Sequence, residues 1–377
     1  MRRRLTYGNC RSACCELNVI NERLFAMKVL LLGGTGAMGG HLKYLFLKRG
    51  AEVFVTSRKP LENESGITNI QGDAKEENFI RRLFQQRWDV IVDFMIYSTT
   101  QFRDRVELLL SATRLYIYLS SARVYAKENG RISEGSPRLL DVTDDHRFLQ
   151  TDEYALAKAR QEDILFESGL ENWTIVRPYI TYDNYRLQLG VMEKEGWLYR
   201  ALQGRNIVMP KDLNERQTTL TFGFDVAKAI CAIAMEPKAR GEIFQIATNK
   251  TISWGEVLDI YLTTLKSHIG SKPHVLEVDS STFLRFHSGK YQYVYDRLFD
   301  RSFDTRKLSS ILEIESFIEP REGLRYCLNA FLKLPTFLDI DWRSEAIKDK
   351  ITSQRSGFRE MSGSKSRLRY ITHRYLK

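Results

Sequence analysis

The sequence is poor in the residues that hold small or metal-built folds together. Five cysteines in 377 residues cannot make a disulfide scaffold, and three of them, Cys10, Cys14 and Cys15, crowd into the first 26 residues. Six histidines are scattered without ligand spacing, so no metal site is expected. No run approaches the ~20 apolar residues of a bilayer-crossing helix, which excludes an integral helical membrane protein. Residues 1–26 also lack the roughly 7–15-residue apolar stretch of a secretory signal. No repeat with a period of about 20–50 residues is visible.

The body of the chain also lacks net charge. The formal charge is +10, yet residues 28–340 hold 42 basic and 41 acidic residues. The excess sits at the ends: five arginines against two glutamates in residues 1–27, and ten lysines and arginines against four acids in residues 341–377. A basic chain average therefore carries no nucleic-acid signal for the body, and nucleic acid is not an expected partner. With 43% hydrophobic and 28% charged residues, the composition suits a packed globular core.

What is present is regular. From Lys28, short apolar runs alternate with helical periods: VLLL (29–32), Val53–Val55, Ile67–Ile70, VIVDF (90–94), YIYLS (116–120) and WTIVRP (173–178). Strands apolar along their whole length, separated by helices, predict an α/β fold with a doubly wound parallel sheet of Rossmann type. After Tyr182 the alternation loosens, which predicts a smaller, mixed C-terminal substrate lobe. The expected organisation is an N-terminal extension (1–26), a dinucleotide-binding domain (27–180), a lobe interleaved with the last Rossmann elements (181–340) and a mobile basic tail (341–377). Met27, directly before the first strand, is a plausible alternative start.

The segment MKVLLLGGTGAMGG (27–40) places Gly33, Gly34, Thr35, Gly36, Ala37, Met38 and Gly39 between a strand and a helix. A phosphate-binding turn needs glycines to bend out of the strand, admit a pyrophosphate and seat the helix on the sheet. The helix N-terminus then offers N–H donors to the phosphates. The second strand ends in Ser57, Arg58 and Lys59, where NAD sites commonly carry an acid for the ribose. Arginine there suits a 2′-phosphate, so NADP is expected slightly ahead of NAD. Asp73 and Ala74, after the third strand, and Phe94, after the fourth, complete the predicted cofactor contacts.

Two further motifs carry chemistry. YLSSARVYA (118–126) ends a strand on serines, and EYALAKARQEDIL (153–165) contains Tyr154-x-x-x-Lys158. Residues four apart share a helix face, so the Lys158 ammonium can stand near the Tyr154 phenol and favour its phenolate. Trp173, Trp197 and Trp254 read as packing residues, and Cys231 and Cys327 as buried thiols.

Together the cradle, the Gly-Asp-Ala turn, SSARVY, Tyr154/Lys158 and the strand closing in Arg-Pro resemble the extended short-chain dehydrogenase/reductase family. The resemblance is strongest to NAD-dependent epimerase/dehydratase proteins acting on nucleotide sugars, and it covers about residues 27–265. It implies a cytoplasmic NAD(P)-dependent epimerase or reductase, an isomerase or oxidoreductase by reaction type, with a homodimer as a possible assembly. On the matching positions Ser121 would hold the substrate hydroxyl, with Ser120 one residue away as its rival. Tyr154 would be the acid/base, and Lys158 would bind ribose and lower the phenol pKa. Tyr182 and Tyr185 would fall near the substrate cleft. Arg216 would replace a family arginine whose position holds Thr218. Ala122 and Arg123 stand where 4,6-dehydratases carry an Asp-Glu pair, which disfavours that reaction. The rival reading is a non-catalytic dinucleotide sensor or RNA-binding relative of the same fold.

Overall fold

A computed structural model describes residues 27–376, so the expected extension, with Cys10, Cys14 and Cys15, lies outside the described residues. Seven strands form the main sheet: β1 (Lys28–Leu32), β2 (Glu52–Ser57), β3 (Ile67–Gln71), β4 (Trp88–Asp93), β5 (Thr113–Leu119), β6 (Trp173–Pro178) and β7 (Glu242–Ile246). Their order is β7-β6-β5-β4-β1-β2-β3, and every pair is parallel. The order reverses at β1, and this switch point opens a crevice at the carboxyl ends of the strands.

Alternation along β1 shows why the sheet is covered on both faces. Val29 and Leu31 enter one core with Leu42, Phe46, Val226 and Ile230. Leu30 and Leu32 enter the other with Phe102, Leu109, Tyr116 and Leu165. Successive strand side chains point to opposite faces, so a strand apolar throughout needs both covers. Helix α1 (Gly39–Lys48) supplies part of the first cover, and α2 (Tyr154–Glu167) carries Ile164 and Leu165 into the second.

The third core belongs to the lobe. It gathers α3 (Lys194–Leu202), α5 (Trp254–Ile269) and α6 (Pro320–Lys333), while α4 (Gly223–Ala234) and β7 return to the Rossmann half. Helix α5 starts on a capping box between Ser253 and Glu256 and stops at Gly270, whose φ of +84° is left-handed. Trp173, Trp197, Trp254, Cys231 and Cys327 are all buried.

The C-terminal segment departs from the expected mobile tail. Residues 342–371 form α7 (Trp342–Ile351) and α8 (Gly363–Ile371), both folded onto the lobe. Trp342, Ala346 and Tyr370 are buried. The attachment is mostly polar. Arg200 of α3, fully buried, donates to Glu345 and Asp349 at 2.8 Å each. Lys348, also buried, donates to Glu345 and to the Gly196 carbonyl at 2.8 Å. Arg205 forks onto Glu360 at 3.0 and 2.8 Å.

Candidate active site

The turn after β1 is built as the glycines require. Gly33 adopts φ +68°, and its N–H donates to Thr56 Oγ1 at 2.8 Å. A Cβ on Gly39 would lie 2.4 Å from the Gly34 carbonyl oxygen, so only glycine lets α1 start this close to the turn. A Cβ on Gly36 would meet nothing within 4 Å, which leaves open space where a phosphate would approach. A groove of about 640 Å³ follows, lined by Gly33, Thr35, Ser57, Arg58, Asp73 and Ala74 among others. This cradle and groove fit a dinucleotide: the turn would hold phosphates, and the groove at the carboxyl ends of β2 and β3 would receive the adenosine.

A second cavity of about 570 Å³ opens beside it, with Met95 common to both. Its walls include Met38, Phe94, Ser121, Tyr154 and Lys158, so five predicted residues from four parts of the chain converge. The remaining cradle residues, Gly34, Gly36, Ala37 and Gly39, form the turn at the groove.

The two serines separate cleanly. Ser120 Oγ donates to the buried carboxylate of Glu162 at 2.5 Å, and Glu162 is gripped by Arg177 through 2.8 and 2.7 Å bonds. Ser120 is thus committed to structure. Ser121 Oγ accepts only the Arg123 N–H at 3.2 Å and interacts with the Tyr154 phenol.

Lys158 Nζ donates to the Leu119 carbonyl at 2.7 Å and lies 5.9 Å from the centre of the Tyr154 ring. Burial pulls its pKa down to about 8, against the opposing pull of Asp93 and Glu162. Burial pushes the Tyr154 phenol above its ordinary value. The cations that most oppose this are Arg123 and Arg186, and the Ser121 hydrogen bond helps them. The Arg123 guanidinium sits 5.1 Å from the Tyr154 ring centre and bonds Glu153 at 2.5 Å. The sequence reading gave the phenol Lys158 as its cation and expected a lowered value; instead burial outweighs the cations and the shift is upward, and the guanidiniums of Arg123 and Arg186, not Lys158, lead the opposition.

Arg297 completes a cationic cluster on this wall. It is buried, donates to the Gly190 carbonyl at 3.0 Å and pairs with Asp296. Burial, with repulsion from Arg123 and Arg186, brings its pKa down to about 10. Arg123, Arg186 and Arg297 were not singled out for this role. Only Arg123 carried a signal, its place two residues after Ser121.

Tyr182 and Arg216 do not reach the cavity. Tyr182 is buried in the lobe, its ring 5.7 Å from Phe222 and its hydroxyl against Gly323, where a Cβ would overlap it. Burial drives its phenol pKa up, and its hydroxyl has no partner among the described residues. Arg216 is exposed, and its backbone joins the start of α5 through the Trp254 N–H. Tyr185 is exposed and lines neither pocket. Their expected substrate contacts are corrected accordingly: the lobe turns these side chains into its core or to the surface.

A parallel sheet in this order, with a glycine cradle at one strand end and a Ser-Tyr-Lys set beside it, defines an extended Rossmann-fold protein. Within that class, the model of the NAD dependent epimerase/dehydratase family matches residues 29–247, and the chain belongs to this family. It is 26% identical over 244 residues to the chloroplast stem-loop binding protein of 41 kDa b from Arabidopsis thaliana, a match covering 60% of this chain. The match likewise spans 60% of that relative's length. It is 24% identical over 341 residues to a UDP-N-acetyl-alpha-D-glucosaminuronate decarboxylase from Bacillus cytotoxicus, covering 81% of this chain and 98% of that one. The fold is similar to UDP-glucuronic acid 4-epimerase from Bacillus cereus in complex with UDP-glucuronic acid and NAD. There the TM-score is 0.62 and the identity 18%, covering 82% of this chain and all of that one.

Proposed function

We propose that the protein is an NAD-dependent epimerase of a nucleotide-linked sugar that bears an acidic group. The carrying observation is one cavity wall on which Ser121, Tyr154 and Lys158 stand with Arg123, Arg186 and Arg297. The first three residues suit proton transfer at a carbon-bound hydroxyl. The three guanidiniums suit carboxylate or phosphate, which they recognise through paired N–H donors. Two of the similar proteins bear names of uronic-acid nucleotides, which supports the acidic sugar.

NAD, which the Gly33–Gly39 turn and the groove at Asp73 would hold, would supply reversible hydride acceptance at the sugar carbon. Tyr154 takes the proton of the hydroxyl on that carbon and later restores it. Ser121 holds the same hydroxyl. Lys158, oriented by the Leu119 carbonyl, is placed to hold the cofactor ribose. Inversion requires the keto sugar to present its other face before hydride returns. The family description and the NAD in the Bacillus cereus epimerase support NAD over the NADP that Arg58 favours on sequence. Arg58 and Lys59 are exposed at the groove, and no described side chain steers them toward a ribose.

The test is incubation with a panel of UDP-sugars, UDP-glucuronic acid included, followed by proton NMR. A new epimer without net accumulation of reduced cofactor is expected. Tyr154→Phe should slow turnover by about 10²–10⁴-fold; unchanged turnover refutes the reading. Net consumption of reduced cofactor would make the enzyme a reductase. The non-catalytic rival draws support from the name of the Arabidopsis relative, while the complete Ser-Tyr-Lys set supports catalysis.

A further inference from the structure

The turn after β5 brings a guanidinium to the reacting phenol. Ser121 caps the single turn Ala122–Val124, its Oγ accepting the Arg123 N–H at 3.2 Å. The Arg123 side chain bonds Glu153 at 2.5 Å and is only 14% exposed. Glu153 in turn caps α2, accepting the Ala155 N–H at 2.7 Å. Tyr154 stands between these two residues in the chain, so the ion pair anchors the helix end that carries the phenol. The same guanidinium lies 5.1 Å from the Tyr154 ring centre and lines the catalytic cavity. Its Nε is buried and has no partner among the described residues.

The cations of the cavity differ in what they face. Arg297 is taken by Asp296 and the Gly190 carbonyl. Arg186 faces Glu193 at 3.8 Å and is 42% exposed. Lys158 turns to the Leu119 carbonyl, and its Nζ is nearer the Tyr118 ring, at 4.5 Å, than the Tyr154 ring, at 5.9 Å. Arg123 and Lys158 both lie over the Tyr154 ring, and Arg123 is the nearer. A phenolate spreads negative charge into its ring, so a cation over the ring face favours it above the neutral phenol. An arginine also keeps its charge at pH values where buried Lys158 gives up its own, near 8. Burial raises the Tyr154 phenol, and Arg123 leads the interactions that oppose it; Arg186, from the segment after β6, opposes it too, and Glu153 works with burial. The phenol of Tyr118, on β5, couples to that of Tyr154. From the lobe, Arg297 and Arg301 feel the Arg123 charge, and Asp296, bound to both, lies beside it.

We propose that Arg123 is a positioning residue for Tyr154: it fixes the head of α2 through Glu153 and favours the phenolate through the charge it holds over the ring. This role rests on the epimerase reading, in which Tyr154 takes a proton from the sugar hydroxyl.

The test has two readouts on the full chain. The first is ultraviolet titration of the Tyr154 phenol, taken as the difference between each protein and its Tyr154→Phe counterpart. The second is the pH profile of UDP-glucuronic acid turnover, followed by proton NMR. Rate rises with pH as the phenol ionises, so losing a favouring cation moves that limb to higher pH. Arg123→Gln should move the phenol titration and the rising limb up together by about one pH unit, or about tenfold in rate at a fixed pH on the limb. Arg123→Lys should restore most of the shift. The double variant Arg123→Gln/Glu153→Gln, which leaves no orphaned carboxylate, should remain displaced in the same direction. A uniform fall in rate with limb and titration unmoved makes Arg123 merely structural and overturns the proposal. So does a shift absent from the double variant, which would assign the effect to unpaired Glu153. A shifted titration in a protein that turns over no nucleotide sugar supports the Arg123 role and refutes the epimerase reading instead.

Discussion

At the scale of single residues, the adjacent serines give the sharpest test. Ser120 donates to buried Glu162, so Ser120→Ala removes a hydrogen bond to a charged group. We expect a stability loss of about 1.5–3 kcal/mol in urea unfolding with chemistry largely retained. Ser121→Ala should do the reverse, leaving the unfolding midpoint near native and depressing turnover. Lys158 offers a pH test. Its folded pKa, about 8, lies below its ordinary value of 10.5. Between these two values the unfolded chain binds the extra proton, so this group makes stability rise with pH there. Function runs the other way, because the ammonium is lost as pH rises through about 8. NAD affinity measured by calorimetry should therefore fall across that pH, and Lys158→Met should remove the step. The serine distinction could not be read from sequence, because it depends on Glu162 lying 42 residues further on and facing back across the strand end.

At the scale of elements, the strand–turn–helix of the cradle was legible because each of its constraints is local. The apolar run, the glycine spacing and the onset of α1 follow one another without a break from Lys28 to Gly39. The glycines nevertheless differ in kind. Gly39→Ala drives a Cβ into the Gly34 carbonyl and should lower the thermal midpoint and NAD affinity together. Gly36→Ala meets nothing in the protein, so the midpoint should hold while NAD affinity drops. A calorimetric scan with and without NAD separates the two. Between β4 and β5 the chain forms two short helices, Thr99–Arg103 and Val106–Ser111, the first opened by a capping box at Ser98. The polar stretch 126–150 contains two single-turn helices, Leu139–Val142 and His146–Leu149. Turns this short leave no period for a sequence to display.

At the scale of the whole molecule, the sequence hid what is assembled from distant parts. The cationic wall takes Arg123, Arg186 and Arg297 from three separate regions, and no spacing links them. Helix α7 was missed for a different reason. Its inward face carries Ser344, Glu345, Lys348 and Asp349, so hydrophobic periodicity describes a solvated segment while the charges are in fact buried. That inversion makes the segment costly to lose. Removing residues 342–377 strips Arg200 of both carboxylates and uncovers the α3 face that Trp342 and Ala346 pack, and we expect a stability loss of about 3 kcal/mol or more. Lys348→Met should cost less, because Arg200 keeps both carboxylates. Unfolding curves of the two variants should rank in that order; a truncated chain as stable as the native one would show that the clamp contributes nothing.

The clamp also has a direction in time. Arg200 is synthesised 145 residues before Glu345, so while the ribosome is still working the lobe holds a cation whose counterions do not yet exist. The Rossmann sheet, closed by β7 at residue 246, is complete well before then. We therefore expect the sheet to form before the segment that pairs with Arg200 is made, which limited proteolysis of ribosome-stalled chains would check. A message truncated near its end would yield a protein that still folds its cradle and remains exposed to proteases at α3.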